Sequence, residues 1–192
     1  RQFLKLLPER IAAIRQAVEQ QQVEILARVA HGLHGGAAQL GALSLARCAS
    51  SMEEIARRGQ LREVVEWLPR LDEEADHFRE ALQLEQRLFG FRQDLGDEPF
   101  GRFLTMARAS LSAMLERIAV EKAAGMHRRL AETARELSGL AGSYGLVGLE
   151  RSAIGLEESV VRTQAMPDAV FLRKFEEVAE RARRMLQEYP AG

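Results

Sequence analysis

The chain has 192 residues, 27 of them basic and 28 acidic, so its formal net charge is −1. This balance argues against a nucleic-acid partner, because binding to a phosphate backbone needs a basic excess. No apolar run approaches the roughly 18 residues that cross a bilayer, so we also expect no membrane contact. Scarce proline and the absence of β-branched runs predict an all-α protein. The single cysteine, Cys48, favours a reducing compartment, and we expect a cytoplasmic protein.

Helical periodicity organises the first half of the chain. It predicts four helices, over residues 1–20, 23–40, 43–58 and 61–89. Gly59 follows two arginines and is a typical C-terminal stop. Pro8 predicts a break in the first helix, and Pro69 predicts a kink or a boundary in the fourth.

A linker is predicted over residues 91–99, because Gly96 and Pro99 interrupt any helix there. This linker separates a predicted domain at 1–90 from a predicted domain at 100–192. The last helix of the second domain is predicted over 169–188. The two halves repeat each other, which is stronger support for two domains than either half alone.

The repeat is clearest where residues 31–54 align without a gap on 135–158, an offset of 104. Nine of these 24 positions are identical, namely Leu33/Leu137, Gly35/Gly139, Ala37/Ala141, Gly41/Gly145, Leu45/Leu149, Arg47/Arg151, Ala49/Ala153, Glu53/Glu157 and Glu54/Glu158. Phe3 and Phe103 match at an offset of 100, so we expect an insertion of about four residues near 121–125.

The second predicted helix places a histidine on its exposed face. Its apolar residues recur every three or four positions, at Leu26, Val29, Leu33, Ala37 and Leu40. His31 lies about 200° around from Val29, so it points away from this stripe. Its neighbours on that face are mostly small, and Arg28 is close by, so the surface suits docking of a partner that must reach the ring.

Two glycines inside this helix each cost about 1 kcal/mol relative to alanine. Gly35 lies one turn after His31 on the same face, so its missing side chain favours access to the imidazole. Gly36 lies nearer the core, and there we favour close helix packing.

The sequence around His31 and Gly35 resembles the motif of the histidine-containing phosphotransfer (HPt) domain. The residues in register with its motif are His31, Leu33, Gly35, Ala37, Leu40, Gly41, Ala42, Leu45 and Glu53. Cys48 falls one place early, and His34 stands where the family usually has lysine. The resemblance implies that each half is an up-down antiparallel four-helix bundle. It also implies that His31 accepts a phosphoryl group from a receiver-domain aspartate and passes it to another receiver.

The resemblance also assigns supporting and docking roles around His31. The candidates are Ala27, Arg28, His34, Gly35, Ala38 and Gln39. Gln39 or a polar residue of the following helix is expected to hold the second ring nitrogen. Mg²⁺ is expected on the partner receiver, and we expect no cofactor in this chain. We also expect no metal, because His31 and His34 would need two further ligands.

The second half lacks the reactive residue, since Arg135 stands where His31 stands. A guanidinium is always protonated, so this half is interpreted as a pseudo-HPt domain. Arg135, Ser138 and Gly139 form its degenerate site, which serves either docking or structure.

Two alternatives to a phosphorelay intermediate remain open at this stage. The chain can be a non-catalytic scaffold that binds receivers, or it can be the phosphotransfer region of a histidine kinase polypeptide. No nucleotide-binding loop of either common type is present, so kinase activity is not expected from this chain itself.

Overall fold

The structure is a computed structural model and describes residues 2–190. Over that range the chain forms helices and no strand, which confirms the all-α prediction. The helices are α1 (Gln2–Glu19), α2 (Val23–Gln39), α3 (Leu43–Arg57), α4 (Leu61–Leu95), α5 (Asp97–Ala123), α6 (His127–Tyr144), α7 (Val147–Thr163) and α8 (Ala169–Glu188). None of the described helices combines the length and the apolar character that a membrane span requires.

Neither of the two prolines ends its helix, so the predicted break at Pro8 and the predicted boundary at Pro69 are wrong, whereas a kink at Pro69 stays a prediction. α1 runs through Pro8 and α4 runs through Pro69. Both prolines lie on the exposed side of their helices, where the carbonyl that loses its partner can be hydrated. Burial of the adjacent Leu7 helps to offset a cost of about 3 kcal/mol for an interior proline.

The described residues divide into two compact units, with the division between Arg79 and Glu80. In the first unit, α1, α2, α3 and the first part of α4 surround one core. Its buried residues include Leu7, Ile14, Leu26, Leu33, Leu45, Met52, Val64, Leu71 and Ala75.

The second unit contains α5 to α8 and also the last part of α4. It therefore has one helical segment more than a four-helix bundle needs. Leu84 and Leu88, near the end of α4, are buried in its core. This is why the division falls inside α4 rather than near residue 90.

The predicted linker at 91–99 is reduced to one residue. α4 continues to Leu95, and α5 begins at Asp97. Gly96 adopts φ +80°, a left-handed conformation that interrupts the helix. Pro99 is compatible with α5 because it lies in the first turn, where backbone N–H groups have no helical partner.

The turn between α2 and α3 is held by paired backbone hydrogen bonds. The Ala42 amide donates to the Ala37 carbonyl at 2.9 Å, and the Gly41 amide donates to the Ala38 carbonyl at 3.1 Å. This is the Schellman pattern, and Gly41 supplies its left-handed residue with φ +74°. The α6–α7 turn repeats it with Gly145 at φ +77°.

The two units bury corresponding residues at a constant offset of 104. Pairs buried in both units include Leu7/Leu111, Ile14/Ile118, Leu26/Leu130, Ala30/Ala134, Leu33/Leu137, Ala37/Ala141, Leu45/Leu149, Ala49/Ala153 and Met52/Leu156. The α1–α2 and α5–α6 connections have equal length, so the predicted insertion near 121–125 is wrong. The match of Phe3 with Phe103 misled the alignment, because Phe3 corresponds to Ala107 at this offset.

The buried stripe of α2 differs in part from the prediction. Ala30 is fully buried, whereas Val29 is half-buried and Leu40 is exposed. Packing at Gly36 agrees with the prediction, because a Cβ there would lie 2.4 Å from Cε2 of Phe3. The Phe3 ring is itself held by an edge-to-face contact with Phe78. At Gly35 an added Cβ meets no described atom within 4 Å.

We therefore expect the two neighbouring glycines to respond in opposite ways to alanine. Gly35→Ala should stabilise the first unit by up to about 1 kcal/mol through helix propensity. Gly36→Ala should make it at least about 1 kcal/mol less stable than Gly35→Ala, because overpacking costs about 1–3 kcal/mol. Urea unfolding followed by fluorescence of the single tryptophan, Trp67 in the first core, measures both variants. Equal stabilities would contradict the packing role of Gly36.

Candidate functional site

His31 lies in the middle of α2 with its side chain directed to solvent. Its side chain is 69% exposed, because Leu26, Ala30 and Leu33 occupy the buried face of the helix. The imidazole is therefore within reach of an external group.

One nitrogen of this ring is held by a buried carboxylate from the following helix. His31 Nδ1 lies 3.1 Å from Oε1 and 3.2 Å from Oε2 of Glu53. The Glu53 side chain is only 7% exposed, and Arg57, one turn later on α3, forms an ion pair with Oε1 at 2.5 Å. The buried carboxylate thus has both a charged partner and a hydrogen-bond partner, as burial of a charge requires.

This hydrogen bond fixes the tautomer of His31. An ionised carboxylate can only accept, so Nδ1 carries the hydrogen and donates it to Glu53. The other nitrogen, Nε2, then has a free lone pair. Among the residues that the structure describes, the ring forms hydrogen bonds through Nδ1 alone, so Nε2 is available as a nucleophile.

A shallow groove next to the imidazole has a basic border. It is lined by Val23, Glu24, Ala27, Arg28, His31 and Arg57. Arg28 comes from α2 and Arg57 from the last turn of α3. Two guanidinium groups beside an exposed imidazole favour an anionic group at this position.

The remaining predicted site residues lie on the same helix. Gly35, Ala38 and Gln39 are exposed, and His34 is half-buried. The ring of His34 meets that of His31 edge to face, with centroids 6.5 Å apart.

Gln39 is not the partner of the ring nitrogen, so that assignment is corrected. Eight residues separate it from His31, which is about 12 Å along the helix axis. Glu53 belongs to the antiparallel α3 and lies beside the ring, so the polar residue of the following helix is the partner.

The sequence reasoning missed the roles of Glu53 and Arg57. A signal for Glu53 was available, because it is one of the nine identities between the two halves. Arg57 follows it by four residues, the spacing at which oppositely charged side chains meet on a helix. No repeat identity marks Arg57, because Val161 is the corresponding residue in the second half.

The second unit repeats this geometry with a different chemistry. Arg135 Nε donates to Oε1 of Glu157 at 2.7 Å, and its Nη2 lies 2.6 Å from the same oxygen. The hydrogen bond to Glu157 raises the pKa of Arg135 above its ordinary value, so the group stays charged. Ser138 donates to the Arg135 carbonyl, and Gly139 is exposed.

Cys48 lies away from this chemistry, inside the first core. Its side chain is buried, and desolvation raises the pKa of the thiol to about 11. A neutral buried thiol is a poor nucleophile, so Cys48 acts as a small core residue.

Comparison with known proteins finds a match to one family model in the first part of the chain. Residues 1–81 match the family model of the Hpt domain. No curated protein matches the chain. The match covers α1 to α3 and the first part of α4, including His31 and Glu53. It supports a phosphotransfer role in two-component signalling and an interaction with the receiver domains of response regulators.

Proposed function

We propose that the chain is a phosphorelay intermediate in which His31 is the phosphoryl acceptor. One observation carries this proposal, the exposed imidazole whose Nδ1 is bound to the buried Glu53 while Nε2 is free. The donor is a phosphorylated aspartate of one receiver domain, and the acceptor in the next step is the aspartate of another.

The transfer requires one bond to form and one to break. The lone pair of Nε2 attacks the phosphorus of the aspartyl phosphate, and the bond between phosphorus and the carboxylate oxygen breaks. The electron pair leaves with the carboxylate of the receiver. In the next step a carboxylate oxygen of the second receiver attacks the phosphorus, the bond between phosphorus and Nε2 breaks, and its electron pair returns to Nε2, which restores the neutral ring.

The residues around His31 stabilise the charge that this exchange creates. The ring becomes positive as the nitrogen–phosphorus bond forms, and Glu53 accepts the Nδ1 hydrogen bond more strongly from a cationic ring. Arg28 and Arg57 border the same groove and can attract the phosphoryl oxygens. Mg²⁺ is expected to come with the receiver.

The first test separates the acceptor from the group that orients it. His31→Gln should abolish acid-labile labelling by a phosphorylated receiver. Glu53→Gln should slow labelling by about 10- to 100-fold, the usual cost of losing a group that orients a functional histidine. Quench-flow labelling at saturating receiver measures both rates.

Glu54→Gln is the matched control for Glu53→Gln. Glu54 is the next residue on α3, is exposed, and pairs with Arg58 instead of His31. Its labelling rate should equal that of the unaltered chain, and far-UV circular dichroism checks that all three variants are folded. Normal labelling of folded His31→Gln would refute the assignment.

The second test concerns access to the ring. Gly35→Leu leaves the core untouched, because a Cβ at Gly35 meets no described atom within 4 Å. The added side chain should obstruct the receiver, and a displacement of about 1 Å can slow transfer by roughly 100-fold. Gly90→Leu is the control, because Gly90 lies inside α4 with equally open space at its Cβ. Unchanged transfer by Gly35→Leu would show that the receiver does not approach over this residue.

We further propose that the second unit is a degenerate HPt domain that does not accept phosphate. It retains the carboxylate Glu157, but the charges that border the groove of the first unit are arranged differently. At the offset of 104, Arg28 corresponds to Glu132, Arg57 to the exposed Val161, and Glu24 to Arg128. An acidic residue at this position disfavours an incoming phosphoryl group.

This comparison predicts how an acceptor could be restored. In a His31→Gln background, Arg135→His should be labelled slowly. The combined change Arg135→His, Glu132→Arg and Val161→Arg should be labelled at least about tenfold faster, because about 1.4 kcal/mol of electrostatic stabilisation gives that factor. Receiver-dependent labelling measures both. Labelling of the single variant at the rate of the unaltered chain would contradict the role given to the basic groove.

A further inference from the structure

Three possible metal ligands converge next to the groove of the first unit. His31, His34 and Glu53 each offer one ligand atom, and these atoms lie within 4.8 Å of one another. We propose that these three side chains form a binding site for Zn²⁺ or a similar first-row divalent cation, with water in the remaining position. This inference does not depend on the phosphoryl transfer proposed above.

The ligand set matches the chemistry of an open zinc site. Two imidazoles and one carboxylate, completed by water, are a known three-residue zinc arrangement. The two histidines are three residues apart on α2, so they lie on the same side of the helix. Glu53 approaches from α3, so the site joins two elements that already pack together.

The distances require little movement. Ligands about 2.0–2.1 Å from a tetrahedral zinc ion are roughly 3.3 Å apart. His31 Nδ1 and the Glu53 oxygens already have nearly this separation, at 3.1 and 3.2 Å. A cation that binds Nδ1 takes the place of its hydrogen, which the ring then carries on Nε2, so zinc would replace the hydrogen bond between His31 and Glu53. The exposed His31 and the half-buried His34 can close the remaining distance by rotation of their side chains.

Arg57 need not be displaced when a cation binds. It pairs with Oε1 of Glu53, and a carboxylate has enough lone pairs to keep this contact while Oε2 binds a metal. Ligand carboxylates in metal sites are commonly held in this way by an outer hydrogen bond. The nearby positive charges of Arg28 and Arg57 lower the affinity, so we expect micromolar binding.

The expectation of no metal counted only the two histidines as ligands. Glu53 adds the third, and it is 6% exposed, unlike the solvated acidic groups that are common on helix surfaces. Among the described residues, His31, His34 and Glu53 form the only group of three possible metal ligands.

Isothermal titration of the tag-free full chain with ZnCl₂ in a buffer without chelators tests the site. We expect one equivalent to bind with a Kd tighter than about 100 µM. His31→Gln, His34→Gln and Glu53→Gln should each weaken binding by at least about tenfold.

Two other histidines provide the control. His77→Gln and His127→Gln alter residues of α4 and α6 and should leave the Kd unchanged. No binding tighter than about 100 µM by the unaltered chain, or unchanged binding by His34→Gln, would overturn the inference. His34→Gln also decides the question if Glu53→Gln fails to fold, since His34 lies outside the buried core.

The outcomes also distinguish the two proposals. Zinc binding by a chain that accepts no phosphoryl group would support this site and refute the relay. Phosphoryl acceptance without zinc binding would do the reverse.

Discussion

Contact between α2 and α3 is the interaction on which the site depends. The buried residues between these helices include several alanines, among them Ala30, Ala37 and Ala49. Small side chains let two helices approach closely. Because α2 and α3 are close, the carboxylate of the buried Glu53 can reach the solvent-facing imidazole of His31. Exposure and orientation usually conflict on a helix surface, because exposed side chains move freely. Here the buried Glu53 holds the exposed imidazole of His31 in one orientation through a hydrogen bond to Nδ1.

The two units place different residues at the position of the exposed imidazole, His31 in the first and Arg135 in the second. The second unit retains the hairpin, its glycine turn and the inner carboxylate Glu157. Arg135 satisfies that carboxylate as an ion pair, although the Glu157 side chain is 19% exposed and that of Glu53 is 7% exposed. The residues at the border of the groove also differ, and Arg28 and Arg57 lie outside the core.

Much of this arrangement could be predicted from the sequence, because apolar periodicity and glycine stops define helices well. α8 has the predicted bounds, and α2 ends one residue early. The break predicted at Pro8 and the boundary predicted at Pro69 were wrong, because both prolines lie on the exposed side of a continuous helix. Gln39 and an unspecified polar residue of the following helix were the candidate partners for His31, and Glu53 was not named as that residue, because a partner on another helix depends on how the two helices pack. That contact is long-range, and local patterns do not encode it.

The Schellman turn at Gly41 also has a consequence for how this hairpin can change. His31 is eleven residues before Ala42, and Glu53 is eleven residues after it. The same count separates Arg135 and Glu157 from Leu146. Adding one residue within α3, between the turn and Glu53, would move Glu53 by about 100° around the helix and bring a neighbour to its place. Exposed residues of the hairpin can therefore differ between the two units, whereas the spacing from turn to carboxylate is the same in both.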